Sequence, residues 1–417
     1  VKYIILVPDG MADFPLDELA GQTPLSHANT PAMDALAQAG IVGEFTPIPD
    51  GFPPGSDIGN LSMFGYDPGA AFTGRAPIEA ANKGIEIGPD EVCFRCNLVT
   101  LRDGVMVNFT AGHISSEEAS ELIAALNEAF ENDPITYYAG VQYRNLCVVK
   151  DAVAPLDQLR ALETTPPHNI SDEPVAGYLP AGAGADVIRG FMTKSQAVLA
   201  NHPINKRRLE NNEPPATSVW LWGQGVAPTI ESYRNLFDRT GAVISAVDLV
   251  KGIGVCAGLD VIDVKGATGY LDTNYEGKVQ AAIDALATRD FVYVHIEAPD
   301  ETAHEGRTDL KLQAIEDFDE RVAAPTWDYA CQQGDVRVLV APDHITALST
   351  KTHAGGPVPF VVAGAGVTGN GLPAYSEFTG KESGLLVDPG YLLIRSFLSG
   401  APLEAGSLGA LTAGSAN

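Results

Sequence analysis

Short β-branched apolar runs, each closed by turn residues and followed by a helical pattern, constrain this chain most strongly. The clearest are Tyr3 to Val7, Ser218 to Trp222, Phe291 to Ile296, Arg337 to Val340 and Pro359 to Val362. Strands that alternate with helices in this way predict an α/β domain with a mostly parallel central sheet flanked by helices. The runs cluster at the two ends of the sequence. Between them the texture changes to strand-like stretches, Phe94 to Leu101 and Leu146 to Val149, beside one amphipathic helix. That helix opens with the capping pattern Ser115-Ser116-Glu117-Glu118 and carries Ala119, Leu122, Ile123, Leu126 and Phe130 at helical spacing. The pattern predicts a smaller α+β domain over residues 81–215 inserted in a core formed by 1–80 and 216–400. Pro166-Pro167, Leu179 to Gly184 and Pro214-Pro215 read as loops around the insertion, and the Ala/Gly/Ser-rich residues 401–417 as a mobile tail.

A chain of 417 residues accommodates two or three domains, and its 45% apolar and 19% charged residues are ordinary for a globular enzyme. No apolar run approaches the roughly 20 residues that span a bilayer, which argues against a membrane partner. Lys2 to Val7 is ended by Pro8-Asp9-Gly10, too soon for a secretory signal, so a cytoplasmic location is expected. The formal charge of −27 repels nucleic acid and anionic lipid but leaves room for a small anion at a locally positive site. Five scattered cysteines argue against a disulfide framework. Cys93 and Cys96 have a zinc or redox spacing, yet residues three apart on a strand face opposite sides.

Chemistry-bearing residues gather just past the strand ends, where open α/β sheets build their sites. Asp9 follows the first run, Asp300 and His304 follow Phe291 to Ile296, and Asp343-His344 follows Arg337 to Val340, with His353 shortly after. Asp300 and His304 are four apart and share one face if the segment is helical, able to grip one ion. Asp343 and His344 are adjacent and point apart, which suits two neighbouring ions. Such mixed carboxylate and imidazole ligands fit manganese, magnesium, zinc or cobalt alike. In Phe52-Pro53-Pro54-Gly55-Ser56-Asp57-Ile58-Gly59-Asn60 a rigid turn ends where a helical pattern begins. A serine there has its hydroxyl at the positive end of the helix, where an alkoxide or phosphate is favoured, although an isolated Pro-Gly-Ser reads first as a helix cap. Arg75, between Gly74 and Ala76, reads as a structural ion-pair residue.

Taken together, Pro8-Asp9-Gly10-Met11, Pro54 to Ser62, Gly65-Tyr66-Asp67-Pro68, Thr73-Gly74-Arg75-Ala76-Pro77, Ala298-Pro299-Asp300-Glu301, Pro342-Asp343-His344 and Thr352-His353 resemble the archaeal-type cofactor-independent phosphoglycerate mutases. The resemblance runs over most of the chain. It implies an alkaline-phosphatase-like core, an inserted substrate-binding lid and two divalent metal ions, commonly Mn2+, with no 2,3-bisphosphoglycerate. It also implies that Asp300, His304 and His353 hold one ion, while Asp9, Ser56, Asp343 and His344 hold the other. Ser56 would then carry the phosphoryl group between the two hydroxyls of a small phosphorylated carboxylate, a step of glycolysis and gluconeogenesis. His113 and Arg144 in the lid and Lys251 in the core would bind that substrate. The sequence leaves the oligomeric state open.

Two neighbouring readings use the same serine and metals. Thr165 to Ile170 and Trp220 to Gly225 resemble a bacterial branch of the family for which a homoserine kinase role has been proposed. A metal-dependent phosphatase is the other. Gly364 to Gly369 matches a dinucleotide fingerprint after a strand, but Asn370-Gly371-Leu372-Pro373 cannot continue the helix that fingerprint requires.

Overall fold

The computed structural model describes residues 1–411, which divide into two compact units, one formed by 1–72 with 230–411 and the other by 73–229. In the first unit eight strands form one sheet. Lys2–Pro8 lies at its centre, parallel to Phe291–Ile296 on one side and to Val336–Val340 on the other. Gly241–Ile244 and Asp260–Val261 extend the first side in parallel. On the other side Val358–Gly364 pairs antiparallel with both Val336–Val340 and Ile41–Phe45, and Leu386–Val387 closes that edge in parallel. The sheet is thus mixed but mostly parallel, and the α/β expectation holds.

The central strands are buried along their length because helices cover both faces, which is why they read as continuous apolar runs. Ile4, Leu6, Val292, Val294, Ile296, Val338 and Val340 pack on one side with Val279, Ala282, Ile315 and Phe318 from helices Tyr275–Leu286 and Thr308–Phe318. The consequence for chemistry is that neighbouring parallel strands end together, so the residues after Pro8, Ile296 and Val340 share one rim of the sheet.

The second unit is an antiparallel sheet in which Glu91–Arg102 pairs with Val105–Asn108, Arg144–Lys150 and Ser218–Gly225, and Arg144–Lys150 pairs with Ile135–Val141. Ser218–Gly225 therefore belongs with the inserted segment and not with the core. Its β-rich sequence fitted either sheet, and only the partner strand Glu91–Arg102 decides between them. The amphipathic helix runs over Ser116–Ala129, with Ser115 accepting from the Glu118 N–H. A second helix, Ala185–Asn201, which the sequence reading did not single out, begins directly after the expected loop Leu179 to Gly184. Cys93 and Cys96 are buried in different apolar clusters, on opposite faces of their strand. Of the expected mobile tail, 412–417 lie outside the described residues. Before them Leu403 and Leu408 are buried, and Val367 forms a bridge with Leu403.

Candidate metal and phosphoryl-transfer site

Asp9 leaves the central strand with its N–H on the Ile296 carbonyl at 2.9 Å. The next residue has a positive φ of 59°, and a Cβ there would lie 2.3 Å from Thr346 Oγ1 and 2.6 Å from Asp300 Oδ1. Gly10 is thus required both by its backbone and by the closeness of the second loop. Its N–H points to Asp343 Oδ1 at 3.2 Å.

Ser56 is the first residue of helix Ser56–Met63, and Gly55 is the N-cap. The Ser56 hydroxyl makes no capping bond; it lies 3.1 Å from His344 Nε2. The helix can approach so closely because a Cβ on Gly59 would meet the Asp343 carbonyl at 2.3 Å. Asn60, one turn in, donates to Asp343 Oδ2 at 2.6 Å and to the Ser56 carbonyl at 2.9 Å, and its own Oδ1 accepts from Tyr293 OH at 2.6 Å. The serine and the carboxylate are therefore held to one buried amide.

Asp300 and His304 lie on helix Ala298–His304, with His304 Nε2 3.3 Å from Asp300 Oδ2. His304 Nδ1–H donates to the Lys351 carbonyl at 2.9 Å, which turns Nε2 toward the carboxylates. A two-stranded hairpin of Ile345–Ala347 and Thr352–Ala354 sets Thr346 opposite His353 and so returns His353 to the cluster. Its Nε2 lies 3.0 Å from His304 Nε2 and 3.4 Å from Asp300 Oδ1. His344 Nε2 lies 3.3 Å from Asp9 Oδ1 and 3.5 Å from Asp343 Oδ2. All seven expected metal-site residues, Asp9, Ser56, Asp300, His304, Asp343, His344 and His353, thus meet in one cluster.

The electrostatics match a cation site. Burial, with Asp343, Asp300 and Glu297 close by, pushes the Asp9 carboxyl well above the usual carboxylate range, and its Oδ1 has no hydrogen-bond partner among the described residues. Burial raises Asp300 too, but hydrogen bonds with His304 and His353 and the nearby His344 outweigh it and hold the carboxyl well below its ordinary value. The Asp300 contact in turn raises His304 to about 9. Burial lowers His344, and lowers His295 to about 4. Donor atoms lie within 4.8 Å of one another in three sets: Asp300, His304 and His353; Asp9, Asp300 and His344; and Asp9, His295 and Asp343. Buried carboxylates crowded this closely need positive charge, and their mixture with imidazoles suits divalent cations.

The other expected contacts lie elsewhere. Lys251 is in the first unit, with Nζ 2.6 Å from Asp263 Oδ1. His113 and Arg144 are exposed residues of the second unit. His113 ends a run of three residues with positive φ, Ala111 to His113. Asn108 Oδ1 braces that turn by accepting from Thr110 and Gly112 N–H at 2.9 Å. Ser115, not His113, caps the helix that follows. Arg144 stacks over Tyr143 at 5.5 Å.

The sequence reading placed Arg75 in a structural ion pair but missed its partners and the buried Lys311 and Asp13. Arg95 lies over Trp222 at 4.2 Å and donates to Glu79 at 3.0 Å, while Arg75 donates to the other Glu79 oxygen at 2.9 Å. Burial raises the Glu79 carboxyl, but these two guanidiniums hold it below its ordinary value. In the first unit, Lys311 and Asp13 are both 0% exposed and 2.8 Å apart. Lys311 also donates to the Thr346 carbonyl at 2.7 Å, tying the loop after Asp9 to the loop after His344. Such residues sit on ordinary amphipathic patterns; only their neighbours reveal them.

A family profile described as 2,3-bisphosphoglycerate-independent phosphoglycerate mutase matches residues 37–205. A protein of that name from Methanosarcina barkeri is 50% identical over 387 residues, covering 92% of this chain and 96% of its own. The chain belongs to this family. Another 2,3-bisphosphoglycerate-independent phosphoglycerate mutase, from Methanothrix thermoacetophila, is 46% identical, with 96% of this chain and 100% of its own covered. Among solved structures, a Pyrococcus horikoshii protein superposes with a TM-score of 0.79 at 30% identity, covering 95% of this chain and 96% of its own. The cofactor-independent phosphoglycerate mutase of Thermoplasma acidophilum gives 0.64 at 28% identity, covering 96% of this chain and 100% of its own. No helix among the described residues is long and apolar enough to cross a membrane.

Proposed function

We propose that this chain interconverts 3-phosphoglycerate and 2-phosphoglycerate through a phosphoserine on Ser56, a cytoplasmic step of glycolysis and gluconeogenesis. The observation that carries the reading is the Ser56 hydroxyl at the start of a helix, 3.1 Å from His344 among buried carboxylates. Asp300, His304 and His353 would hold one divalent cation, and Asp9, Ser56, Asp343 and His344 the other, with Mn2+ the first choice. When bound, such ions polarise phosphoryl oxygens and lower the pKa of a coordinated hydroxyl. Ser56 Oγ gives up its proton and attacks phosphorus as the P–O3 bond breaks, and O3 of glycerate takes up a proton. After glycerate turns, its O2 loses its proton and attacks the phosphoserine, the P–Oγ bond breaks and Ser56 Oγ takes up a proton. The helix N-terminus favours the charge that gathers on Oγ and on the phosphoryl oxygens. Asn60 keeps Ser56 and Asp343 in register throughout. His113 and Arg144, in a second unit acting as a lid, and Lys251 would bind the substrate's phosphate and carboxylate. Water must be excluded, because hydrolysis of the phosphoserine would make the enzyme a phosphatase.

The test is to reconstitute the chain with Mn2+, supply 3-phosphoglycerate and follow 2-phosphoglycerate by coupling to enolase, beside a second reaction with ATP and homoserine. Formation of 2-phosphoglycerate without added 2,3-bisphosphoglycerate is expected. Turnover only with ATP and homoserine would replace the mutase by the kinase-like reading, and release of inorganic phosphate alone would replace it by the phosphatase.

A further inference from the structure

His295 is the second-last residue of strand Phe291–Ile296, is 0% exposed and is not one of the seven expected metal-site residues. Its ring is fixed from behind. Nδ1 lies 3.3 Å from Ser245 Oγ, and that oxygen accepts the Val247 N–H at 3.0 Å. The backbone is fixed as well, since Lys278 Nζ donates to the His295 carbonyl at 3.1 Å. The front of the ring, by contrast, has no hydrogen-bond partner among the described residues. Nε2 lies 3.0 Å from Asp9 Oδ2, yet the contact is not aligned as a hydrogen bond. Asp9 consequently has an imidazole at each oxygen, His344 at Oδ1 and His295 at Oδ2.

A fully buried ring nitrogen without a partner is costly and demands a reason. When Nδ1–H donates to Ser245, the Nε2 lone pair is left free and directed at the carboxylate cluster. A free imidazole lone pair beside carboxylate oxygens is a metal donor, and the donor atoms of Asp9, His295 and Asp343 lie within 4.8 Å of one another. We propose that His295 Nε2 is a further ligand of the divalent cation held by Asp9 and Asp343, with Ser245 selecting the tautomer that leaves Nε2 free. This inference rests on the two-ion reading above.

The test uses the whole chain, stripped of metal and labelled with 15N-histidine, then loaded with 113Cd2+. One-bond Cd–N couplings are expected at His295 as well as at His304, His344 and His353. Couplings at those three with none at His295 overturn the inference while leaving the two-ion reading intact; failure to take up the ion at all removes both. Co2+ titration gives a second readout. His295→Gln should weaken one class of Co2+ site by about tenfold or more, leave the other unchanged and move the visible bands of the bound ion. Ser245→Ala should do the same to a lesser degree and guards against a folding defect in the first variant. Weakened binding with unmoved bands would make His295 a support for Asp9 and not a ligand, which also overturns the inference.

Discussion

The two units bury charge in opposite ways. In the first unit Asp9, Asp300 and Asp343 are packed together with imidazoles as their close partners, and Asp9 Oδ1 is left with no hydrogen bond among the described residues. In the second unit Glu79 is shared by Arg75 and Arg95, and Arg95 is further covered by Trp222. One cluster offers the donor set of a cation site, whereas the other is balanced within the fold. The first arrangement sets metal-donor atoms beside a serine hydroxyl; the second pairs its charges with one another. A buried charge cluster thus reveals its use by whether its partners are already present.

The contrast can be broken at its most sensitive point by Ser56→Ala, which should reduce phosphoryl transfer to background while metal content, read by elemental analysis, stays near normal. Retained turnover would remove Ser56 from the nucleophile role. Next in size, Lys311→Met leaves Asp13 buried without its cation and should cost about 3–5 kcal/mol in denaturant unfolding. Asp13→Asn combined with Lys311→Met should recover part of that loss, because no uncompensated charge remains. In the second unit Arg144→Ala should raise KM for 3-phosphoglycerate about 10–100-fold, the worth of a charged hydrogen bond of about 1.5–3 kcal/mol. As Arg144 is exposed, unfolding should change by less than about 0.5 kcal/mol. An unchanged KM would take Arg144 out of the substrate site.

The smallest effect is a pH dependence. Glu79 has a folded pKa below its ordinary 4.5, so its pairing adds stability above that value and loses it as pH falls through the lower folded value. Thermal unfolding between about pH 5 and pH 3 should therefore show a shallower acid slope in Glu79→Gln than in the parent chain. An equal slope would mean that Glu79 is not the group that balances the arginines.

The sheet and the positions around the serine were legible because they depend on local signals: apolar runs, turn residues at their ends, and carboxylates or imidazoles just beyond. Asp300 and His304 could even be paired from their spacing, and helix Ala298–His304 has them on one side. His295 was not legible, since it sits inside an apolar run and resembles any core residue until Asp9 is seen 3.0 Å away. Lys311 was hidden for a similar reason, being one polar residue on an amphipathic helix whose buried partner is nearly 300 positions distant. The division between the units failed at Ser218–Gly225 because strand composition does not say which sheet a strand joins. The proposed substrate contacts were the least legible, as Arg144 and Lys251 have no local feature that distinguishes them from surface charges.

The place of Lys2–Pro8 at the middle of its sheet sets a timetable for the newborn chain. Its two neighbours begin at Phe291 and Val336, so Lys2–Pro8 is made long before either strand that encloses it. The inserted unit, complete by residue 229, can fold on the ribosome well before. At about 5–20 residues per second, the opening strand waits roughly 15–60 s for its first partner, with its apolar side chains open to chaperones. Asp9 therefore gains Asp300, Asp343 and His344 as neighbours only after the two flanking strands have been made.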